Sequence, residues 1–209
     1  MPSGTSAKRL VADGYDNMGD VYLDRLRGKR RPEITAFVDE AVEGLPEGTR
    51  VLDLGCGGGR PYSEYLSARF DVVGVDISQR QLVLARGFLP DAAFLLADMA
   101  SLPFGNATFG AITALYSIIH LPRAEHAALF SRIRGLLEPG GRVFGVMGQS
   151  DWVASESDWL DSGVEMYWSH FDADTNLRLV GDAGFRVIRS QIVPDPIGGG
   201  HLYVLAERT

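Results

Sequence analysis

Residues 51–60, Val-Leu-Asp-Leu-Gly-Cys-Gly-Gly-Gly-Arg, constrain the fold of this chain more than any other stretch. The stretch begins as a short apolar run, which is typical of a buried strand. It breaks at Gly55, where four glycines occupy five positions. Glycine tolerates a positive φ and has no Cβ, so the backbone there can approach a ligand closely. A helix starting directly afterwards would add unpaired N–H donors and the positive end of its dipole. The stretch therefore predicts a strand–loop–helix unit that cradles a nucleotide-like cofactor.

Apolar segments typical of buried strands recur along the chain and alternate with helix-length segments. Strands with little internal polarity, separated by helices, indicate a parallel sheet covered on both faces. Two final strands separated by only a short loop can pair as an antiparallel hairpin. The predicted strands are 50–54, 72–76, 93–98, 109–115, 142–147, 185–193 and 201–206, and the predicted helices are about 10–27, 32–42, 60–69, from Ser78, from Pro122 and 172–183, with residues 1–9 frayed.

Composition and charge narrow the class of protein. A chain of 209 residues with 45% hydrophobic and 22% charged residues is expected to form one soluble globular domain, residues 1–209. A net charge of −7 argues against a broad nucleic-acid-binding face. No apolar run approaches the roughly 18 residues that span a bilayer, the first residues lack the apolar core of a signal peptide, and a single cysteine excludes an internal disulfide. We therefore expect a cytoplasmic protein with no membrane contact and no nucleic-acid partner.

The residues around the glycines discriminate between cofactors. A dinucleotide fingerprint needs Gly-x-Gly-x-x-Gly, and its third position falls on Arg60. A phosphate-binding loop needs Gly-Lys followed by Ser or Thr, which is absent here. Asp53 precedes the glycines, where a carboxylate would repel a pyrophosphate but can hold a cationic amino group.

Two further acids end the next two predicted strands. Asp76 lies about twenty residues beyond the loop, where a carboxylate can accept hydrogen bonds from a ribose diol. Asp98 follows the third strand, in a position suited to an adenine amino group. The carboxyl ends of parallel strands form one rim, so the three acids should converge on one crevice. An adenosine that carries a charged amino acid and no phosphates is S-adenosylmethionine.

The motifs, in order, resemble a class I S-adenosylmethionine-dependent methyltransferase of the small-molecule, ubiquinone-methylase-like kind. Residues 51–59 resemble the family's first motif, and Val-Gly-Val-Asp-Ile-Ser, 73–78, resembles its ribose motif. Ala-Asp-Met, 97–99, resembles the adenine motif, and 137–143 resemble the turn before strand five. The resemblance implies an α/β, Rossmann-like three-layer sandwich whose seven-stranded, mostly parallel sheet has the order 3-2-1-4-5-7-6, with the last strand antiparallel. It also implies an N-terminal helical lid within residues 1–44 and a substrate-pocket insertion at 148–171.

The resemblance also implies a cofactor site for S-adenosyl-L-methionine, with S-adenosyl-L-homocysteine as the product. Asp53 would hold the methionine amino group, Asp76 the ribose, and Asp98 with the Met99 amide the adenine edge. Arg60 has two interpretations, a partner of the methionine carboxylate or a surface arginine. The backbone groups of Gly55, Cys56 and Gly57 would contact the amino-acid part of the cofactor. Ile77 would pack on the adenine, and Leu115 and Tyr116 would lie under the methionine.

His120 is the leading candidate for a general base, since it follows strand four at the mouth of the crevice and a neutral imidazole can accept a proton near pH 7. A structural histidine bonded to nearby backbone is the alternative, and the sequence leaves both open. His126 is expected on a helix surface. No histidines and acids have a spacing that suggests a metal site, so we expect no metal. Candidate acceptor-binding residues, each with core or loop packing as the alternative, are Tyr15, Tyr22, Trp168, His170 and His201.

The resemblance implies transfer of a methyl group to a small-molecule acceptor by in-line displacement. Oxygen or nitrogen is favoured over carbon as the acceptor atom, but the residues do not decide among the three. One alternative is a protein or RNA methyltransferase, although the Asn/Asp-Pro-Pro-Tyr motif is replaced by Leu-Tyr-Ser-Ile at 115–118. Another is a non-catalytic protein that binds S-adenosylmethionine. The sequence is compatible with a monomer or a homodimer.

Overall fold

The computed structural model describes residues 4–19, 30–195 and 199–209. Tyr22, one of the candidate acceptor-binding residues, lies outside them. The helices are α1 (Gly4–Met18), α2 (Pro32–Ala41), α3 (Tyr62–Ser67), α4 (Gln79–Phe88), α5 (His126–Leu136) and α6 (Ala173–Asp182). The strands are β1 (Arg50–Leu54), β2 (Asp71–Asp76), β3 (Ala93–Leu96), β4 (Phe109–Ala114), β5 (Leu137–Gly148), β6 (Trp152–Glu156), β7 (Met166–His170), β8 (Phe185–Pro194) and β9 (Gly200–Arg208).

The main sheet has the strand order β3-β2-β1-β4-β5-β9-β8. Strands β1 to β5 pair in parallel, and β9 runs antiparallel to both of its neighbours. Because β6 and β7 form a separate sheet, β8 and β9 are the sixth and seventh strands of the main sheet. The predicted Rossmann-like α/β class and the order 3-2-1-4-5-7-6 are therefore confirmed.

Helices cover both faces of the main sheet and bury an apolar layer on each side. Leu52 and Leu54 of β1 pack in the cluster that contains Leu129 and Ile133 of α5. Val51 points to the other face, into the cluster built on α2 and α3. Because successive side chains of a strand point to opposite faces, β1 contributes side chains to both apolar layers.

The insertion at 148–171 contains the antiparallel pair β6–β7, which the sequence did not indicate. All five residues of β7 are buried, so it lacks the alternation that identifies a half-buried strand. This pair and α1 share a third apolar cluster, which includes Val11, Trp159 and Met166. The cluster places α1 and the insertion together over the carboxyl ends of the sheet strands.

The starts of three elements differ most from the prediction. Helix α1 begins at Gly4, inside the segment expected to be frayed, because Ala7, Val11, Gly14 and Met18 form a buried face. Strand β5 begins at Leu137, since the residues before the predicted start at 142 already pair with β4 across a register shift. Helix α5 begins four residues after Pro122, after a 3₁₀ turn at Arg123–Glu125.

Candidate cofactor and acceptor site

A crevice opens at the carboxyl ends of β1 to β4 and beneath α1. The residues that line the crevice are Lys8, Val11, Tyr15, Gly55, Gly57, Val75, Asp76, Ile77, Ala97, Asp98, Met99, Leu115, Tyr116, Ser117, His120 and Leu121. Most of the predicted cofactor residues therefore lie around one cavity, as the edge of a parallel sheet requires.

The glycine loop is held against β2 by its own backbone donors. The amides of Gly55 and Cys56 both donate to the carbonyl oxygen of Val75, at 2.7 and 3.1 Å. The Gly57 amide donates to Oδ2 of Asp76 at 2.8 Å. These three N–H groups are bonded within the protein, so this part of the loop does not present the donors that bind a phosphate.

Gly55 brings the loop after β1 into contact with the loop after β4. Its φ is +73°, and a Cβ built on it would lie 2.2 Å from Cβ of Ser117. Ser117 is held in place by its hydroxyl, which donates to the Leu54 carbonyl oxygen at 2.6 Å. A side chain at position 55 would therefore collide with this contact and intrude on the crevice wall.

Asp53 lies below the crevice rather than in its wall. Ser63 of α3 donates to Oδ2 at 2.5 Å, and Thr113 of β4 donates to Oδ1 at 2.8 Å. Burial raises the pKa of the carboxyl, and the two hydroxyl donors act against that rise. The Asp53 side chain joins β1, α3 and β4 beneath the loop, and its contact with a methionine amino group stays a prediction.

Asp76 joins the glycine loop to the start of α4. Besides the Gly57 amide at Oδ2, its Oδ1 accepts from the Ser78 amide at 2.9 Å. The hydroxyl of Ser78 accepts from the Gln81 amide and thereby caps α4. Burial raises the pKa of Asp76 to about 6, although its backbone donors act in the opposite direction.

Asp98 is joined to the N-terminal helix by Lys8, a residue that the sequence analysis missed. The Lys8 ammonium lies 2.6 Å from Oδ2 of Asp98 and 2.5 Å from Oε2 of Glu125. Oδ1 of Asp98 accepts from the Ala100 amide at 2.9 Å. Burial lowers the pKa of Lys8, but the two carboxylates outweigh burial, and the net shift is upward. No sequence pattern connects a lysine at position 8 with an acid ninety residues later.

Tyr15 and His120 meet at the opposite end of the crevice. The Tyr15 hydroxyl lies 3.0 Å from Nε2 of His120. Nδ1 of His120 lies 2.7 Å from the carbonyl oxygen of Tyr167 in β7. Burial lowers the pKa of His120 to about 4, so the ring is neutral at pH 7.

Tyr116 forms the wall beside this pair and has a φ of +57°. Its hydroxyl lies 2.9 Å from that of Tyr203 and accepts from Nη1 of Arg31 at 2.7 Å. Burial raises the pKa of Tyr116. His201 contacts the Tyr116 ring edge-on from outside the crevice and lies 3.3 Å from Asp195. Arg31 supports this wall, and no sequence motif indicated it.

The other candidate acceptor residues lie behind His120 rather than in the crevice wall. The Trp168 ring lies 4.4 Å from the His120 ring, centroid to centroid. Nδ1 of His170 lies 2.6 Å from the Ser150 carbonyl oxygen. Acceptor contacts by Trp168, His170 and His201 therefore stay predictions that the geometry does not directly support. The expectation that His126 lies on a helix surface is wrong, since it is 1% exposed and Nε2 lies 3.0 Å from the Leu121 carbonyl oxygen.

Other predicted groups lie away from the crevice. Cys56 is buried, and burial raises the pKa of its thiol well above the ordinary value. Arg60 points to the surface, where Nη2 lies 2.8 Å from Glu64 and the guanidinium stacks on Phe88. Within residues 4–19, 30–195 and 199–209, no group of three or more His, Cys, Asp or Glu is arranged to hold a metal. No helix in the same ranges is long and apolar enough to cross a membrane.

Comparisons with known proteins agree with this geometry. Residues 51–141 match the family model described as a methyltransferase domain. An uncharacterized methyltransferase of Synechocystis sp. is 28% identical over 170 residues, which cover 78% of this chain and 77% of the relative. The 27-O-demethylrifamycin SV methyltransferase of Amycolatopsis mediterranei is 31% identical over 155 residues, covering 64% of this chain but only 56% of the relative.

Among solved structures, one similar fold is the 1,6-didemethyltoxoflavin-N1-methyltransferase of Burkholderia thailandensis, with bound 1,6-didemethyltoxoflavin and S-adenosylhomocysteine. The TM-score is 0.75 at 21% identity, and the match covers 100% of this chain and 92% of that one.

Proposed function

This chain is a class I S-adenosylmethionine-dependent methyltransferase, and we propose that it methylates an oxygen or nitrogen atom of a small molecule. The observation that carries this proposal is the position of α1 across the crevice. Lys8 contacts Asp98 at one end and Tyr15 contacts His120 at the other. These helix residues are two turns apart and share one face. The helix therefore roofs the crevice, and the space beneath it suits a small acceptor better than a protein or RNA chain.

The residues of the crevice fit S-adenosylmethionine. Gly55 packs so closely on Ser117 that any Cβ would intrude on the crevice wall, and the loop amides are bonded within the protein rather than directed at an anion. Asp76 and Asp98 line the crevice on the side of β2 and β3, where they would hold the ribose hydroxyls and the adenine amino group. Ile77 and Met99 lie beside them and would pack against the adenine.

When bound, S-adenosylmethionine supplies an activated methyl group, which the acceptor attacks as the carbon–sulfur bond breaks and sulfur keeps the electron pair. The protein's main tasks are to align the acceptor and to exclude water. Leu115 and Tyr116, directly after β4, would form the surface along which the two molecules meet. Where the acceptor atom carries a proton, the pair Tyr15–His120 provides a place for it.

Charge is distributed unevenly along the crevice. Lys8, Asp76 and Asp98 lie toward the adenosine end. At the other end, burial raises the pKa of Tyr116 and lowers that of His120 to about 4, so both groups are neutral at pH 7. This end suits a neutral hydroxyl or amine, which agrees with oxygen or nitrogen as the acceptor atom.

The two peripheral segments have separate roles in this proposal. Helix α1 acts as the lid, since it spans the crevice, whereas α2 packs on the main sheet. Residues 148–171 act on the site indirectly, because Tyr167 of β7 supplies the carbonyl oxygen that orients His120. The insertion then shapes the acceptor end by supporting its wall.

Incubation of the protein with methyl-labelled S-adenosylmethionine and a cell metabolite extract tests the proposal. We expect label in the small-molecule fraction, and mass spectrometry of the labelled product identifies the acceptor. Asp76→Asn should reduce the transfer, whereas Asp71→Asn, an exposed acid on the same strand, should not. Label only in macromolecules would favour a protein or RNA methyltransferase, and tight binding without transfer would favour a non-catalytic binding protein.

A further inference from the structure

We propose that the Tyr15 hydroxyl is the group that takes the acceptor's proton, and that it passes its own proton to Nε2 of His120. This inference rests on the proposed function, since it assumes an acceptor that loses a proton. It assigns Tyr15 as the catalytic residue and His120 as a residue that acts through it.

The contacts of His120 leave it one basic atom. Nδ1 lies 2.7 Å from the carbonyl oxygen of Tyr167, and a carbonyl oxygen can only accept. The hydrogen of the neutral ring therefore belongs on Nδ1, and Nε2 carries the lone pair. That lone pair faces the Tyr15 hydroxyl at 3.0 Å, so Tyr15 donates and His120 accepts.

Tyr15 consequently lies between the crevice and the only basic nitrogen of His120. A phenol oxygen that donates one hydrogen bond can still accept another. The Tyr15 ring is held by edge-on contacts with the rings of His120 and Trp159, at centroid distances of 5.5 and 5.8 Å. The hydroxyl is thereby fixed in the direction of Nε2, while the side chain lines the crevice.

The proton transfer balances. As the acceptor oxygen or nitrogen forms its bond to the methyl carbon, its proton moves to Tyr15 Oη. The Tyr15 hydroxyl proton moves to His120 Nε2, and the new imidazolium donates through Nδ1 to the Tyr167 carbonyl oxygen. The positive charge that the sulfonium loses appears on His120, so the net charge of the crevice does not change. Before the transfer, burial lowers the pKa of His120 to about 4. Nε2 is therefore unprotonated at neutral pH and can accept the proton.

The relay also couples chemistry to the position of α1. Tyr15 belongs to α1, whereas His120 and Tyr167 belong to the body of the domain and the insertion. The end of the helix is held by Asp16, whose Oδ1 accepts from the Ser78 hydroxyl at 2.5 Å and from the Arg80 amide at 2.9 Å. His120 therefore acquires its proton-transfer partner only when α1 is docked over the crevice.

Nuclear magnetic resonance of ¹⁵N-histidine-labelled protein saturated with S-adenosylhomocysteine tests the relay without any acceptor. His120→Gln assigns the signals. We expect the ring to be protonated at Nδ1, with an Nε2 signal shifted by a hydrogen bond that disappears in Tyr15→Phe. A ring protonated at Nε2, or an Nε2 signal that Tyr15→Phe leaves in place, would overturn the relay.

Initial rates of label transfer from S-adenosylmethionine into the small-molecule fraction of the extract provide the second readout. Tyr15→Phe should lower the rate about 10²-fold or more at saturating cofactor, in the range of general acid–base catalysis. His120→Gln should lower it similarly, and the double variant should fall little further, since the two residues act as a unit. Tyr65→Phe removes an exposed hydroxyl that bonds Asp39, and it is the matched control.

The outcomes separate the two proposals. A Tyr15→Phe variant with at least half the wild-type rate would overturn the relay and leave the methyl-transfer proposal intact. Wild-type protein that transfers no label would overturn the proposed function, and the resonance of Nε2 would still decide whether the Tyr15–His120 bond exists as described.

Discussion

Lys8 of α1 and Asp98 after β3 form an ion pair across the crevice, with 2.6 Å between Nζ and Oδ2. The same ammonium lies 2.5 Å from Glu125. The Lys8 side chain is only 17% exposed, so this triad is shielded from solvent more than an ordinary surface pair. Lys8 therefore holds the start of α1 against the body of the domain through two carboxylates, those of Asp98 and Glu125.

Lys8→Met should loosen that attachment. We expect backbone amides of α1 to exchange hydrogen about 10-fold faster, which corresponds to about 1.4 kcal/mol of local stability. Arg9→Met is the control, because Arg9 is 83% exposed and pairs with Asp13 on the same helix. Hydrogen-exchange mass spectrometry measures both variants, and equal protection of α1 in Lys8→Met and wild type would contradict the role assigned to the triad.

Cofactor affinity should depend on the charge of Asp76. Because burial raises its folded pKa to about 6, the carboxyl becomes protonated as the pH falls below that value. A neutral carboxyl is a weaker acceptor for the ribose hydroxyls, so the affinity for S-adenosylhomocysteine should fall between pH 7.5 and pH 5. Asp76→Asn should weaken binding about 10- to 100-fold at pH 7.5, the equivalent of a charged hydrogen bond.

Calorimetric titration at several pH values measures this dependence. Asp76→Asn should also flatten it, because the amide does not titrate. The control is Asp71→Asn, which changes an exposed acid at the start of the same strand. An unchanged pH dependence in Asp76→Asn would show that another group is responsible.

Gly55→Ala should destabilise the fold as well as impair cofactor binding. A positive φ costs a non-glycine residue about 1–2 kcal/mol, and overpacking against Ser117 adds about 1–3 kcal/mol. Gly44→Ala isolates the first contribution, since Gly44 has a φ of +79° and nothing within 4 Å of the added Cβ. Urea unfolding should give the larger loss for Gly55→Ala, and equal losses would argue against the contact with Ser117.

His120 should make the protein less stable in acid. Its folded pKa is lowered from 6.5 to about 4 by burial, so the unfolded chain binds a proton in this interval and the folded chain does not. Its contribution is therefore present above pH 6.5 and is lost as the pH falls toward 4, with a slope on the order of 1 kcal/mol per pH unit.

Urea unfolding of wild type and His120→Gln at pH 7.5, 6 and 5 measures that slope. The lowered pKa values of His126, His170 and His201 contribute to both proteins, so the difference between the curves isolates His120. If the free energy of unfolding has the same pH dependence in both proteins, the pKa of His120 does not change on unfolding.

The positions of the two acids that line the crevice could be predicted because they depend on local chain order. Asp76 and Asp98 each lie at or just after the end of a strand, and parallel pairing alone brings those ends to one rim. Strand pairing does not determine whether a side chain reaches the crevice. Asp53 points from β1 toward α3, and whether it reaches the crevice depends on Ser63, which lies ten residues away and on a different element.

The acceptor end could not be predicted to the same extent, because its contacts join distant parts of the chain. Tyr15 and His120 were both candidates, but their hydrogen bond spans 105 residues. The role of Tyr167 is carried by a backbone carbonyl, which every residue type possesses, so no residue pattern indicates it. No sequence motif indicated Arg31, and its contact with Tyr116 depends on where α2 begins.

The sequence by itself determined the parallel sheet, the terminal hairpin and the glycine loop after β1, because buried strands, helix starts and glycine turns follow from short-range patterns. Only the tertiary structure decided that α1 starts at Gly4 and roofs the crevice, and that Lys8 holds Asp98. The physical reason is that such contacts form where apolar faces of remote elements are buried against one another, and the choice of partners is made by packing across the whole domain.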